Sequence, residues 1–307
     1  MITYYQRTSE TAGLTEQDQI SSGSWVRSER PTASDIETLH EFGIDADLLT
    51  DALDPHEVPR IEHDDGWTYF ITRVPDVGDN FNDYTTPMMF ALGKSQTVTV
   101  SRDSLGRLWL PFVEKTMISP EQQSKLFLSM VEIILQSYQQ RVTMINRQMR
   151  ALTSNIQSLR PSDISMIAEH ERKLNDYLDA LIPTNTALEK TLNPRFNLLR
   201  LSDDDQDMVE DLSVDIEQVI ARCKSLLRTI TNVRDSYRAV MDTLLNETMR
   251  VLTVVTLSLT IPTMISGVFG MNVELPVGLH NGAIFWIVII VSFVAAASVS
   301  AYFLRKR

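Results

Sequence analysis

In the last third of the 307-residue chain, Asp235, Ala239, Asp242, Asn246, Met249, Thr253, Thr256, Thr260, Thr263 and Gly267 recur at alternating steps of four and three. That spacing keeps side chains on one face of an α-helix. Two carboxylates, an amide and four hydroxyls along one line present oxygen atoms, the donors that hard hydrated cations prefer. No base stands beside a nucleophile and no pair of carboxylates is placed for acid–base work. The line therefore suggests passage of an ion. Two plainer uses remain open: threonines bonded back to their own helix, or polar glue between helices. Alternation of three and four is also the seam along which identical helices supercoil.

The line runs into a stretch without charge. Val251 to Val273 holds 23 uncharged residues and Asn281 to Leu304 another 24. A membrane-spanning helix needs about 20 apolar residues, so both read as spans, buried core helices being the alternative. Arg250 precedes the first span and Arg305-Lys306-Arg307 follows the second, whereas the loop between them has no Lys or Arg. Positive charge stays on the cytosolic side, which places both termini inside. Trp286 and Tyr302 stand near opposite ends of the second span, as interfacial aromatics do. Two spans per chain cannot enclose a path, so a polar line demands a homo-oligomer with the first span innermost. Ser292, Ala296 and Ser300 form a small-residue ridge suited to packing on another helix.

Between Pro194 and Pro262 there is neither Gly nor Pro. Ser202-Asp203-Asp204-Asp205 supplies a cap and an acidic first turn. One helix is thus predicted from Asp204 to Val268, beginning in the cytosol and ending through the bilayer. Upstream, Ser119-Pro120-Glu121 reads as a helix start, with that helix ending near Leu159. A second runs from Pro161 to about Leu181, its far end frayed by Pro183, and the two make an antiparallel hairpin. Before them, Ser24–Arg27, Trp67–Val74, Met88–Leu92 and Thr97–Ser101 read as strands, and Thr32–Phe42 and Asp45–Leu53 as helices. Residues 1 to about 22 read as a loose polar lead-in. The fold class is an α+β cytosolic domain, a mixed sheet with helices, followed by long coiled helices and two transmembrane helices.

Lys and Arg number 28 against 40 Asp and Glu, a net charge of −12. That balance argues against nucleic acid as a partner. The single Cys223 excludes a disulfide framework and a multi-cysteine zinc site. No Gly-rich phosphate loop occurs, so no nucleotide is expected. The five histidines have no paired spacing on one helix face and read as surface or structural. Mean hydropathy is −0.09, the average of an acidic cytosolic part and an apolar end. Residues 201 to 217 carry eight acids and no base, and residues 31 to 65 eleven acids against Arg60. Around a ring of copies such faces repel unless cations bridge them.

Phe269-Gly270-Met271-Asn272, followed by Val273-Glu274, closes the first span. Gly-Met-Asn at that place, ahead of a short loop, a second span and a basic tail, resembles the signature of the CorA family of magnesium and cobalt transport proteins. Trp25, the stretch from Asp45 to Asp54, and Arg60-Ile61-Glu62 before Trp67-Thr68-Tyr69-Phe70 resemble the family's N-terminal domain. The resemblance implies a funnel-shaped homopentamer in the cell (inner) membrane with a central pore and no enzymatic activity. It implies divisions at 1–118 (cytosolic α/β domain), 119–201 (helical hairpin), 202–270 (stalk and first span, from about 250), 271–281 (outer loop), 282–304 (second span) and 305–307 (cytosolic tail). Gly270, Met271 and Asn272 would form the selectivity filter. Asn246, Met249, Leu252, Thr253, Thr256, Thr260, Thr263 and Gly267 would line the pore, with Met249 and Leu252 at the hydrophobic gate.

By the same resemblance Asp235 and Asp242 form a cytosolic acidic ring, and Asp211 belongs to a regulatory metal site between protomers. Mg2+ would be both cargo and regulator, with no organic cofactor. Three positions depart from the family pattern. Phe269 stands where Tyr is usual, Thr260 replaces a methionine at the gate, and Leu275-Pro276-Val277-Gly278 leaves Glu274 as the loop's only carboxylate. Gly267 and Gly270 are expected to let the backbone bend. Two other readings stand beside a passive Mg2+ channel: a zinc or other transition-metal exporter on the same scaffold, and a membrane-anchored sensor.

Overall fold

The computed structural model describes residues 2–7, 13–21, 23–75, 84–153, 159–195, 198–271 and 282–305. They fall into two compact units, Met1–Asn232 and Val233–Arg307. The first unit holds a seven-stranded sheet, β1 (Ile2–Gln6), β2 (Thr15–Gln17), β3 (Trp25–Glu29), β4 (Arg60–Asp64), β5 (Trp67–Pro75), β6 (Thr85–Leu92) and β7 (Thr97–Ser101). Their spatial order is β2-β1-β3-β7-β6-β5-β4. Every pairing is antiparallel except β3 with β7, where Trp25 lies opposite Thr97 and Glu29 opposite Ser101. The sheet is therefore mixed, as the sequence suggests.

Side-chain alternation builds the two faces. Tyr69 and Ile71 of β5, Met89 and Ala91 of β6, and Val98 and Val100 of β7 point to one side. There they meet Leu39 and Ile44 together with Leu48 and Leu49, around helices α1 (Ala33–Glu41) and α2 (Ala46–Asp51). Both helices start where the sequence places them. Thr32 and Asp35 form a reciprocal capping box, and the Asp45 carboxylate accepts from the Leu48 amide at 2.9 Å. On the opposite side Phe70, Phe90 and Phe127 meet edge to face, with centroids 5.0 and 5.1 Å from Phe127. Because both faces are covered, β6 and β7 are buried at every position and show no polar alternation.

That second face carries α3 (Gly106–Lys115), α4 (Gln123–Thr153) and α5 (Pro161–Lys190). Trp25 anchors α3 through Trp109 and Phe112, and its indole N–H donates to Thr99 at 2.9 Å. Tyr138 of α4 donates to the Arg73 carbonyl at 2.9 Å and stacks edgewise on Tyr177 of α5. Thr72 of β5 shares a hydrogen bond with Thr184 of α5 at 2.9 Å.

Several expectations need correction. The lead-in of residues 1 to 22 contains β1 and β2, held by pairing rather than by a hydrophobic run. β4 escapes a hydropathy reading because Ile61 is its only buried residue. Arg60 at its start holds Asp51 at 2.7 Å and also pairs with Glu57 and Glu62, so one base orders three acids of the acidic stretch. α4 begins at Gln123 and not at Ser119-Pro120, which form a turn ahead of it. α5 continues through Pro183 to Lys190, because Leu181, Thr184, Asn185, Ala187 and Leu188 are all buried and packing outweighs one lost backbone bond.

α6 (Asp203–Phe269) is one helix of 67 residues, within one residue of the predicted span at each end. Ser202 and Asp205 cap it reciprocally, at 3.1 and 3.2 Å. Val209, Leu212, Ile216, Val219, Cys223, Leu226 and Ile230 form its buried seam in the first unit. Burial pushes the Cys223 thiol up to about 12. A group with a raised pKa stays protonated at pH 8, and the thiolate is the reactive form. Iodoacetamide labelling of folded protein at pH 8 is therefore expected to run at least about a thousandfold slower than that of free cysteine. Mass spectrometry before and after denaturation reads this, and rapid labelling of the native chain would contradict it.

Candidate functional site

The second unit contains the end of α6 and α7 (Gly282–Arg305). Both are long and apolar enough to cross a membrane, with only 6% and 11% of their apolar windows buried within the chain. Two helices with so much exposed apolar surface need lipid or other protein around them. They pair antiparallel. The Arg250 guanidinium donates to the Phe303 carbonyl at 3.3 Å, and Ser258 and Ser300 share a hydroxyl hydrogen bond. Ser292 and Ala296 are buried, so the small-residue ridge of the second span packs on the first span of the same chain.

This pairing fixes which face of α6 is used up. Val254, Ser258, Ile261 and Ile265 are buried or half-buried, while Thr253, Thr256, Thr260, Thr263 and Gly267 are exposed. At about 100° per residue, the centres of these two stripes lie about 150° apart around the helix. The oxygen-bearing line thus turns away from α7. Each of the four threonines donates its hydroxyl proton to the carbonyl four residues earlier, at 2.8 Å for Thr253, Thr260 and Thr263 and 2.9 Å for Thr256. The back-bonding alternative therefore describes the geometry, and it has a chemical consequence. With its proton spent on the helix, each hydroxyl presents acceptor lone pairs outward. Acceptors facing outward suit the hydrogens of a metal-bound water.

Thr256, Thr260 and Thr263, with Leu259 and Met264, edge a shallow hollow on that face. Met249 and Leu252 stand exposed at 59% and 58%, apolar side chains on a surface that only another chain or lipid could cover. Nearer the start of the unit Asp242 and Asn246 are exposed, and Asp235 lies 3.9 Å from Arg238. An exposed pair at that distance contributes little and leaves the carboxylate able to face a cation.

At the far end α6 passes through Pro262 and Gly267 without a break and stops at Gly270, whose N–H donates to Ser266 O at 3.0 Å. Gly267 therefore lies within the continuous helix and does not end it. A β-carbon added there would meet nothing within 4 Å, so nothing in the single chain requires glycine at that position. Met271 is exposed, and Asn272 and Glu274 lie outside the described residues. In the first unit Asp211 is exposed on α6. Among the described residues no three His, Cys, Asp or Glu side chains are grouped to hold a metal, so a site there would need a second copy. Of the histidines, His170 is buried, and burial in particular lowers its pKa, as does nearby Lys173.

The family model described as CorA-like Mg2+ transporter protein matches residues 21–307. The chain belongs to this family. A cobalt/magnesium transport protein CorA from Methanocaldococcus jannaschii is 23% identical over 279 residues, covering 86% of this chain and 84% of the relative. The protein of the same name from Thermotoga maritima is 22% identical over 280 residues, covering 87% and 77%. The complete CorA magnesium transporter structure from M. jannaschii superposes with a TM-score of 0.80 at 21% identity, covering 100% of this chain and 98% of that one. The cytoplasmic domain of ZntB from Vibrio parahaemolyticus matches with a TM-score of 0.63 at 12% identity, covering 78% of this chain and 98% of that one. The CorA fold thus accounts for the mixed sheet, the long helix and the two apolar C-terminal helices, and CorA membership makes this a membrane transport protein and not an enzyme. What sequence reasoning missed at the site is the packing side of α6, where Val254 is buried and Ser258 bonds Ser300. Its signal was the buried ridge on the second span, but its partner could not be read from spacing.

Proposed function

We propose that the chain forms a homopentameric channel for passive Mg2+ uptake across the cell membrane, with α6 of each protomer innermost. The observation that carries this is the oxygen line of α6 turned away from α7, with acceptor lone pairs facing outward from Thr253 to Thr263. Five copies of that face around an axis make a neutral, hydroxylated path that opens to the cytosol past Asn246, Asp242 and Asp235. Magnesium gives up its waters reluctantly. A ring of Asn272 amides beside Gly270 and Met271 hydrogen-bonds those waters and selects the ion without stripping it. Met249 and Leu252 close the path when packed together, as hydrophobic constrictions do by dewetting. The antiparallel spans put Arg250 and Arg305 at one end, which the positive-inside rule places in the cytosol. Two charges crossing about 100 mV, inside negative, gain about 4.6 kcal/mol, enough to drive uptake without a nucleotide.

Regulation follows from the acidic face of α6. Asp203, Asp204, Asp207, Glu210, Asp211, Asp215 and Glu217 are exposed along its first turns. Cytosolic Mg2+ bridging Asp211 to carboxylates of a neighbouring protomer offsets their repulsion and holds the pore shut. Purified protein is expected to resist trypsin at millimolar Mg2+ and to be cleaved quickly in EDTA, with Asp211→Asn losing much of that protection. Cleavage patterns that ignore Mg2+ would exclude the bridge.

The channel reading itself is tested in proteoliposomes, by measuring Mg2+ and Zn2+ flux with direction under a set potential and a set proton gradient. Potential-driven Mg2+ entry supports it. Proton-dependent Zn2+ flux would favour the exporter, and no flux of either ion would leave a sensor.

A further inference from the structure

In a chain of net charge −12, two cavities of the first unit are lined without any carboxylate, and one of them also holds a buried, unpartnered amide. It measures about 430 Å³ and lies where four separate segments meet: the β4–β5 hairpin, the β6–β7 turn, the start of α4, and residues 198–200 ahead of α6. The hairpin turns on Asp65 and Gly66, both at positive φ, the two-residue form that Asp-Gly favours. Its walls are apolar at Leu92, Leu198 and Leu199.

Its charged side chains are both cationic, and beside them lie His63, whose Nδ1 shares a hydrogen bond with the Thr68 hydroxyl at 3.0 Å, and the Gln123 amide. Lys94 and Arg200 stand at its edge, and neither has a carboxylate partner among the described residues. Gln123 lines the same cavity; its Nε2 is buried and has no hydrogen-bond partner. A buried amide N–H left unpaired is costly and calls for an acceptor. Gln123 and Ser124 also open the 31-residue helix α4, and among the described residues nothing caps their backbone N–H groups. The positive end of a helix dipole adds to the two cations there. The hydroxyl protons nearby are already committed: Thr68 donates to the Leu198 carbonyl, and Ser124 donates to the Arg200 carbonyl at 2.9 Å. The same two bonds tie residues 198–200 to the sheet and to α4, so the cavity walls are held in place.

We propose that this cavity binds a phosphoryl anion. A cation would be repelled by Lys94 and Arg200, with no carboxylate in the lining to offset them, and an uncharged apolar molecule would leave the Gln123 amide unpaired. A phosphoryl group supplies several acceptor oxygens to Lys94, Arg200 and the Gln123 amide at once, the charge-assisted bonding at which Arg excels. The volume falls within the range of pockets for small organic ligands, and the leucine wall accommodates the body of a phosphate ester behind its phosphoryl group. The site stands just ahead of the acidic start of α6, so its occupancy adds negative charge beside the helix that carries the oxygen line. It uses none of the residues assigned to ion passage.

Calorimetric titration of the full-length detergent-purified protein tests the proposal. Inorganic phosphate, adenosine monophosphate and sodium chloride at matched ionic strength are the probes, all in EDTA. Saturable binding of phosphate or of the monophosphate is expected with a Kd below about 1 mM. Tighter binding of the monophosphate identifies an ester as the ligand, and equal binding identifies free phosphate. Lys94→Gln with Arg200→Gln should weaken it by at least about tenfold, and Gln123→Leu should weaken it with both cations in place. Unchanged elution and thermal unfolding show that the substitutions at exposed Lys94 and Arg200 and at half-buried Gln123 leave the fold intact. Absence of saturable binding up to about 10 mM, or a double variant that binds within twofold of the parent, overturns the assignment. Because binding is read without flux, the result is independent of whether the chain conducts magnesium.

Discussion

Asn272→Ala is expected to abolish magnesium flux in proteoliposomes while leaving assembly intact. The argument rests on multiplicity. In a pentamer one substitution removes five amides from a single ring. Each net hydrogen bond is worth about 1 kcal/mol, so the ring as a whole contributes about 5 kcal/mol to holding a hydrated ion. Each 1.36 kcal/mol is about tenfold in rate, and even half of that contribution lowers flux about a hundredfold. Asn272→Asp should also fail, for the opposite reason. Five carboxylates bind a divalent ion too firmly for release, and conduction requires binding weak enough to leave. Crosslinking and gel filtration of both variants check that the oligomer persists. Flux at the parent level in Asn272→Ala would remove the selectivity role from this ring and with it the channel mechanism.

The long helix and the core strands were legible because each has a single dominant signal. α6 has no Gly or Pro before Pro262 and carries a reciprocal cap at Ser202 and Asp205. β5, β6 and β7 are rich in Val, Thr and aromatics, and β7 matches its predicted residues. Elements held by their neighbours were not legible. β2 is three residues, Thr-Glu-Gln, and exists only because β1 pairs with it. α5 contains Pro183, which reads as its frayed end, and α3, which was not predicted, contains Pro111. In both, buried side chains on either side of the proline keep the helix going, as with Trp109 and Phe112. Tertiary packing outweighs local preference there.

The same contrast applies to function. The oxygen line was readable because all its members lie on one helix, where spacing alone defines a face. The direction in which that face points was not, since it depends on Val254 and Ser258 packing against α7. The cavity at Lys94, Gln123 and Arg200 left no trace in the sequence, because it is assembled from four segments. A phosphate-loop search would pass over it, since its donors do not share one loop.

The threonine line supports a second large effect that isolates chemistry from shape. Thr256→Val together with Thr260→Val replaces each hydroxyl by a methyl of nearly the same volume. Because each threonine proton is bonded within its own helix, at 2.9 and 2.8 Å, the substitution removes only the acceptor that faces outward. The carbonyls of Leu252 and Thr256 keep their helical N–H partners, so the helix loses little. Thermal unfolding should therefore shift by no more than a few degrees. In a pentamer, however, ten acceptor oxygens leave the path, and a hydrated ion crossing that level meets methyl groups. Stripping even part of its hydrogen-bonded shell costs about 1 to 3 kcal/mol, so flux should fall about tenfold to a hundredfold. Thr256→Ser with Thr260→Ser keeps the oxygen and loses a methyl, and should retain most of the flux. If the valine pair conducts as well as the serine pair, the hydroxyls serve only the helix, and the ion passes elsewhere.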